Sequence, residues 1–272
     1  VYTLKSTESL RREYTFLAAD FNSDYDFDTT AAFFQLDSSI SEKLTVETGL
    51  RVERRDTSYR DSELLGFSPA ETLWGGRVAA KYLLNSTTMA YASIARGYKA
   101  GGFNTDGTLD ADLREFGEEF LIEYELGVKS NLLENTLHLK AALFHDDRHE
   151  QQVKSSTGRI RANGSTEFID FIGNAAEGTN NGVEIEAVWT PSQRLALTAS
   201  LGLLDATFDS FVNSENQDLS GRDQAHAPGY MAHLAADYNL GPWSLSVSLD
   251  TKDDFYFSDG HNVQSDPDGL LN

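Results

Sequence analysis

In Leu44–Arg54, the side chains of Leu44, Val46, Thr48, Leu50 and Val52 share one face, and Thr45, Glu47, Gly49, Arg51 and Glu53 share the other. The same alternation runs through Leu121–Lys129, Val183–Trp189 and Trp243–Asp250, the last pairing Trp243, Leu245, Val247 and Leu249 against three serines and Asp250. Successive side chains of an extended chain point to opposite faces, so strict alternation over such lengths predicts strands with one apolar and one polar face. The pattern places strands near 28–40, 44–57, 72–84, 87–98, 119–130, 136–150, 179–190, 194–209, 229–239 and 243–257, with a weaker one near 12–20. No segment carries a comparable helical pattern. Most of these strands exceed the usual soluble length of about five or six residues. They match the roughly 9–11 residues that a tilted strand needs to cross a bilayer.

The connections alternate as well. Short ones lie at Ile40–Lys43, Asn85–Ser86, Asn131–Asn135, Pro191–Gln193 and Gly241–Pro242; long ones lie near 58–71, 99–118, 151–178 and 210–228. In an up-and-down antiparallel sheet this sorts all short turns to one edge and all long loops to the other. Outer-membrane barrels have that asymmetry, and a soluble sandwich or propeller has no need of it. Trp189, Tyr238 and Trp243 stand beside short turns, with Tyr82 close to another, where an interfacial aromatic girdle belongs. The alternative is that these rings cap a soluble core. The fold class predicted is all-β: an antiparallel transmembrane β-barrel of outer-membrane type.

Charge narrows the partners. The chain of 272 residues has 22 basic and 43 acidic residues, a net charge of −21, which argues against nucleic acid. It has no cysteine, so disulfides and thiolate chemistry are excluded, as suits an envelope protein. No run of 18 apolar residues predicts a membrane helix, but barrel strands never show one. The start at Val1 and the turn-rich end before Asn272 lead us to expect an internal piece of a longer chain.

Residues 91–104, Tyr-Ala-Ser-Ile-Ala-Arg-Gly-Tyr-Lys-Ala-Gly-Gly-Phe-Asn, resemble a signature of the barrel of TonB-dependent outer-membrane receptors. So do the stretch from Phe120 to Ser130, Ala142-Leu143-Phe144 followed by Gln151-Gln152-Val153, and Asn174-Ala175-Ala176 followed by Gly182-Val183-Glu184-Ile185-Glu186. Leu219-Ser220-Gly221 and Ala227-Pro228 complete the series in order. The resemblance implies a barrel of about 22 strands closed by an N-terminal plug. Residues 1–272 would supply about 10–11 of those strands, as part of a single barrel domain without the plug, the TonB-binding segment or the final strands. It also implies a location in the outer membrane of a Gram-negative bacterium, with lipid and lipopolysaccharide around the chain. The implied activity is uptake of a scarce ligand, by family default a ferric siderophore, with energy delivered through TonB.

Gly101-Gly102 lacks the spacing of a phosphate loop and a following helix, and reads as a bend where a strand enters a loop. The pairs Glu123/Glu125 and Glu184/Glu186 resemble acid–base carboxylates, but i,i+2 parity on a wetted strand face explains them. His145 and His149 are roughly 13 Å apart on a strand, too far to share a metal. Asp24, Asp26 and Asp28 fail the EF-hand pattern because Thr29 stands where glycine is needed. They read as a solvated acidic segment near an outer loop, with weak divalent-cation binding as the other reading. We therefore expect no enzyme, no cofactor and no resident metal. Glu47, Arg51, Glu53, Glu123, Glu125, Lys129, Glu184 and Glu186 are expected on the lumen face. Candidates for the lumen or ligand vestibule are Arg51, Glu53, Arg96, Tyr98, Lys99, Phe103, Asn104, Glu123, Glu125, Glu184 and Glu186. The face of Arg96 and Tyr98 is not set by parity, because their strand has small residues on both sides. The loops 99–118, 151–178 and 210–228 would form the vestibule. Three readings stand at this point: the energised importer (with vitamin, haem or glycan as other cargoes), a passive porin or adhesin, and a soluble all-β enzyme or carbohydrate-binding module.

Overall fold

The structure is a computed structural model that describes residues 2–12, 21–160, 164–213, 216–261, 264–265 and 270–271. Eleven long strands follow one another: β1 Tyr2–Arg12, β2 Phe21–Ser39, β3 Leu44–Asp61, β4 Ala70–Leu83, β5 Thr88–Lys99 and β6 Glu119–Leu132. They continue as β7 Leu137–Ile160, β8 Thr166–Ser192, β9 Leu195–Phe211, β10 Tyr230–Leu240 and β11 Trp243–Lys252. Each pairs antiparallel with its chain neighbour in a single sheet, and Leu270–Leu271 adds a short pairing to β11. Neither edge strand closes on the other, so the structure is part of a barrel wall.

Register carries the two-faced pattern across strands. Val46, Ala80, Ala92, Leu126, Leu143, Val183 and Leu203 are successive partners and form one continuous apolar row. Lys129, Lys140, Glu186, Ser200, His233 and Asp250 form a row on the opposite face. A one-residue slip would exchange the faces of a whole strand. The apolar face is exposed: Leu126 is 60%, Leu143 55% and Val78 53% accessible. A contiguous apolar surface of this kind needs a cover, and a bilayer supplies one without leaving any backbone group unpaired. Tyr82, Trp189, Tyr238 and Trp243 stand on this face at the short-turn edge.

Glycine and aromatic residues interlock on the polar face. Gly127 faces Tyr91, and a Cβ on that glycine would lie 2.4 Å from the tyrosine ring. Gly182 faces Phe144, where the same atom would lie 2.1 Å from the ring. Each ring lies flat over the neighbouring backbone, a packing that only glycine permits.

The buried apolar clusters lie at the long-loop edge. Val153, Ala176, Phe208, Phe211 and Leu219 form one, and Leu109, Ile169 and Phe171 form another. They occupy the part of the sheet that sequence patterning read least well. Residues 151–178, expected as a loop, are instead mostly strand: β7 and β8 run on as a long hairpin past a bulge at Arg148–Gln152. Both faces of that extension meet protein or water, so its alternation is lost and periodicity does not reveal it. β2 begins at Phe21 rather than near 28, so Asp24, Asp26 and Asp28 lie in it rather than in a loop, alternating with the better-buried Ser23, Tyr25 and Phe27. The last long strand ends at Lys252, not 257. The weaker strand expected near 12–20 falls almost wholly outside the described residues, and β1 precedes it.

Gly182→Val in the full-length protein is expected to abolish the folded species, because backbone and Phe144 would have to move together. Gly202→Ala, whose Cβ meets nothing within 4 Å, is expected to be silent. The check is the heat-dependent shift of the folded barrel on electrophoresis.

Candidate ligand vestibule

The long-loop edge is held by three polar assemblies. In the first, loop 100–118 returns to the outer end of β3. Arg114 is 1% exposed; its Nη1 donates to Asp61 Oδ2 at 2.7 Å and to the Tyr59 hydroxyl at 3.3 Å, and its Nε donates to the Leu109 carbonyl at 3.2 Å. The Tyr59 hydroxyl donates to the same Asp61 oxygen at 3.0 Å. A buried ion pair with its remaining valences filled this way fixes geometry more than it adds stability.

The second assembly explains the glycines of the 91–104 motif. Gly102–Phe103 pairs with Glu115–Phe116 in a two-stranded ribbon. A Cβ on Gly101 would lie 2.4 Å from the Phe116 carbonyl oxygen, and one on Gly102 would lie 2.8 Å from the Phe116 ring. The Phe103 side chain then stacks on Tyr59 at 4.8 Å and meets Phe67 and Tyr25. Asn104 is buried; its Nδ2 donates to the carbonyls of Leu113 and Ile172, and its Oδ1 accepts from the Ile172 amide, each at 2.8 Å.

The third centres on the bulge. Glu150 has φ 52, a left-handed conformation uncommon outside glycine. Its carbonyl accepts from Asn174 Nδ2 at 2.8 Å, and that amide also reaches Gly117 and Glu118. Gln152 donates to the carbonyls of Ala100 and Gly117 at 2.9 Å each, and its amide donates to Glu119 at 3.1 Å. Arg148 pairs with Glu119 and donates to Gln224 Oε1 at 2.9 Å. Gln224, in loop 212–229, donates in turn to Asn180 and to the Thr207 carbonyl. One bulge thus ties two loops to three strands.

The candidate residues fall into separate groups. Arg51, Glu53 and Tyr98 come together: Arg51 Nε donates to Glu53 at 2.9 Å and to the Tyr98 hydroxyl at 3.2 Å. The Tyr98 ring lies over Gly75, where a Cβ would be 3.0 Å away. Arg55, one step along the same face, donates to the Tyr25 hydroxyl and the Gly101 carbonyl and lies 4.6 Å from the centre of the Phe27 ring. Phe103 and Asn104 are packed into the loop. Lys99 is exposed at the end of β5. Glu123 faces Asp146 directly across the β6–β7 pair, and Glu125 faces Phe144. Glu184 and Glu186 lie farther round the polar face, Glu186 with Lys140 at 2.8 Å. All eight residues expected on the lumen face lie on this polar face. Arg96 stands apart. Its partners are Gly76 and Ile122, on the apolar face. Residues missed by sequence reasoning are Tyr25, Arg55, Tyr59, Arg114, Arg148, Gln152, Asn174 and Gln224. Parity could have given Arg55; the others depend on contacts far apart in the chain. Among the described residues, no group of His, Asp and Glu is arranged to hold a metal.

The family described as TonB dependent receptor-like, beta-barrel, matches residues 3–272. The chain belongs to the TonB-dependent receptors. It is similar to the pesticin receptor of Yersinia pestis, 28% identical over 170 residues, covering 60% of this chain and 24% of that protein. The chain therefore spans about a quarter of the length of the curated relatives it matches. Among solved structures it is similar to the ferric yersiniabactin uptake receptor FyuA from Yersinia pestis, with TM-score 0.74, 20% identity, and coverage of 92% of this chain and 38% of that one. The siderophore receptor PiuA from Acinetobacter baumannii gives TM-score 0.71 at 16% identity, covering 92% and 36%. The copper transporter OprC gives 0.68 at 16%, covering 98% and 43%. At these identities the structures establish a shared barrel wall.

Arg114→Leu in the full-length receptor is expected to cost about 3–5 kcal/mol locally, because it strands the Asp61 carboxylate in a buried site. Hydrogen exchange should accelerate in 100–118 and at the outer end of β3, with β10 and β11 unchanged.

Proposed function

We propose that this chain is part of the barrel of an energised outer-membrane importer whose cargo is a ferric siderophore. Family membership over nearly the whole chain supports this reading, together with a polar wall that carries ionic and aromatic groups toward a rigid, loop-lined rim. The ligand meets the rim at Arg51, Glu53, Tyr98 and Arg55, where two guanidinium groups and two tyrosine hydroxyls, Tyr98 and Tyr25, stand on one face. A ferric chelate presents oxygen donors and delocalised rings, and arginine with tyrosine recognises both. In this scheme Phe103 and Asn104 hold the loop rather than the cargo. The lower wall, with Glu123, Asp146, Glu184 and the recess beside Gly202, faces the N-terminal plug of the full protein. That recess has a volume of about 440 Å³ and is lined in part by Glu184, Ser200, Gly202, His233 and Asp250. Opposed carboxylates such as Glu123 and Asp146 are unfavourable alone and favour a cationic partner. TonB, acting on the N-terminal region, supplies the energy.

The test is metal uptake by iron-starved cells that depend on the full-length gene, with ferric siderophores and copper complexes as separate arms. Saturable uptake of a ferric siderophore, lost on removal of TonB or dissipation of the proton-motive force, is expected. Uptake that persists without TonB identifies a passive barrel, and energised uptake of copper alone transfers the proposal to another metal. Arg55→Ala should weaken ligand binding by roughly tenfold or more, the usual cost of losing a charge-assisted contact.

A further inference from the structure

Gly101 is gripped by an acid and a base at once. Arg55 and Glu71 are direct cross-strand partners at the outer end of the β3–β4 pair. Arg55 Nη1 donates to the Gly101 carbonyl at 3.3 Å, and the Gly101 amide donates to the Glu71 carboxylate. That carboxylate lies so close that a Cβ on Gly101 would be 2.6 Å from its Oε1. One charged pair thus holds loop 100–118 where it leaves β5. The outermost apolar pair on these two strands is Val52–Trp74, and beyond it Arg54 and Asp56 face outward. Glu71 therefore stands above the apolar band, on the same face as Arg51 and Glu53.

The groups around the Glu71 carboxyl set its charge. Arg55 faces it from β3, and Glu115 and Glu118 face it from the returning end of the loop. Burial is the largest influence and pushes the carboxyl above its ordinary value. Arg55 and the Gly101 amide pull it back, and Glu118 and Glu115 push it up again. The carboxyl takes up its proton at a higher pH than a solvated glutamate does. Arg55 has other supports: it donates to the Tyr25 hydroxyl and lies 4.6 Å from the centre of the Phe27 ring. Its Nε is buried and, among the described residues, has no partner. Without Glu71 as counter-charge the guanidinium stays in place with a donor to offer.

We propose that Glu71 is a proton-operated positioning residue: charged, it holds Gly101 and engages Arg55; neutral, it loosens the loop and gives Arg55 over to the ligand. The inference rests on the reading of Arg55 as a ligand contact. As pH falls, the Gly101 amide loses a charged acceptor and Arg55 loses its competing anion. An anionic chelate on Arg55 and a proton on Glu71 then favour each other.

The test is hydrogen exchange on the cargo-free, full-length receptor in mild detergent, from pH 7.5 to pH 4.5, with protection corrected for the intrinsic pH dependence of exchange. Protection at 100–103 should fall about fivefold as the pH drops, with β10 and β11 unchanged. Glu71→Gln, which keeps the shape but not the charge, should show the low protection at every pH. Glu118→Gln removes a neighbouring anion and should keep the transition but move it to lower pH. Wild-type protection that does not change with pH overturns the proposal without any variant. A folded Glu71→Gln receptor with the wild-type profile, or a Glu118→Gln receptor with no transition, also overturns it. No cargo is present, so such a result strikes the role of Glu71 alone; the importer reading stands or falls on uptake by iron-starved cells.

Discussion

The inter-strand hydrogen-bond ladder is the constraint on which the rest of this structure depends. Between the two edge strands it satisfies the backbone within the sheet, so side chains are free to match two different surroundings. Direct antiparallel pairing then aligns like faces from strand to strand, and one choice of parity in β3 propagates to β11. The apolar rows have no internal core to pack against. The polar rows are laced by cross-strand pairs such as Lys81–Glu47 and Lys140–Glu186, and by rings laid over glycine. Such exposed pairs are individually weak, and their value lies in keeping a wet surface ordered.

Where the strands leave the apolar band the logic changes. Small apolar clusters appear, and buried and half-buried polar groups take over the positioning of the loops. Arg114, Asn104, Asn174, Gln152 and Gln224 each satisfy backbone or side-chain partners from elements distant in sequence. This ties the rim together and holds Arg51, Arg55, Tyr25 and Tyr98 at fixed spacing, and under the proposed function that spacing is what an incoming ligand meets. Preorganisation of this kind lowers the ordering cost of binding.

How far the chain discloses its own structure follows the same division. Within the band, alternation is enforced by two solvents, so β3, β6 and β11 were legible to within a few residues at most edges, as was the sorting of short turns from long loops. Beyond the band neither face is enforced, and the hairpin extension of β7 and β8 was read as loop. The site divides likewise. Glu123, Glu125, Glu184 and Glu186 were placed by parity on the face they occupy. The face of Arg96 was not, because alanines on both sides of β5 hide it; only the register against Gly76 and Ile122 resolves it. Asn104 and Phe103 look like available polar and aromatic groups in sequence, yet their partners, Ile172 and Tyr59, are remote along the chain.

The central claim is that alternate residues of these strands face lipid and the barrel interior. Residues 1–272 hold no cysteine, so single cysteines can be placed at 139, 140, 141, 142 and 143 along β7 of the full-length receptor, with any cysteine outside this region replaced by serine. Each is labelled with an environment-sensitive fluorophore and reconstituted with and without lipid-borne quencher. The account predicts strong quenching at 139, 141 and 143 and weak quenching at 140 and 142. Uniform quenching, or quenching that follows a helical period, would contradict it.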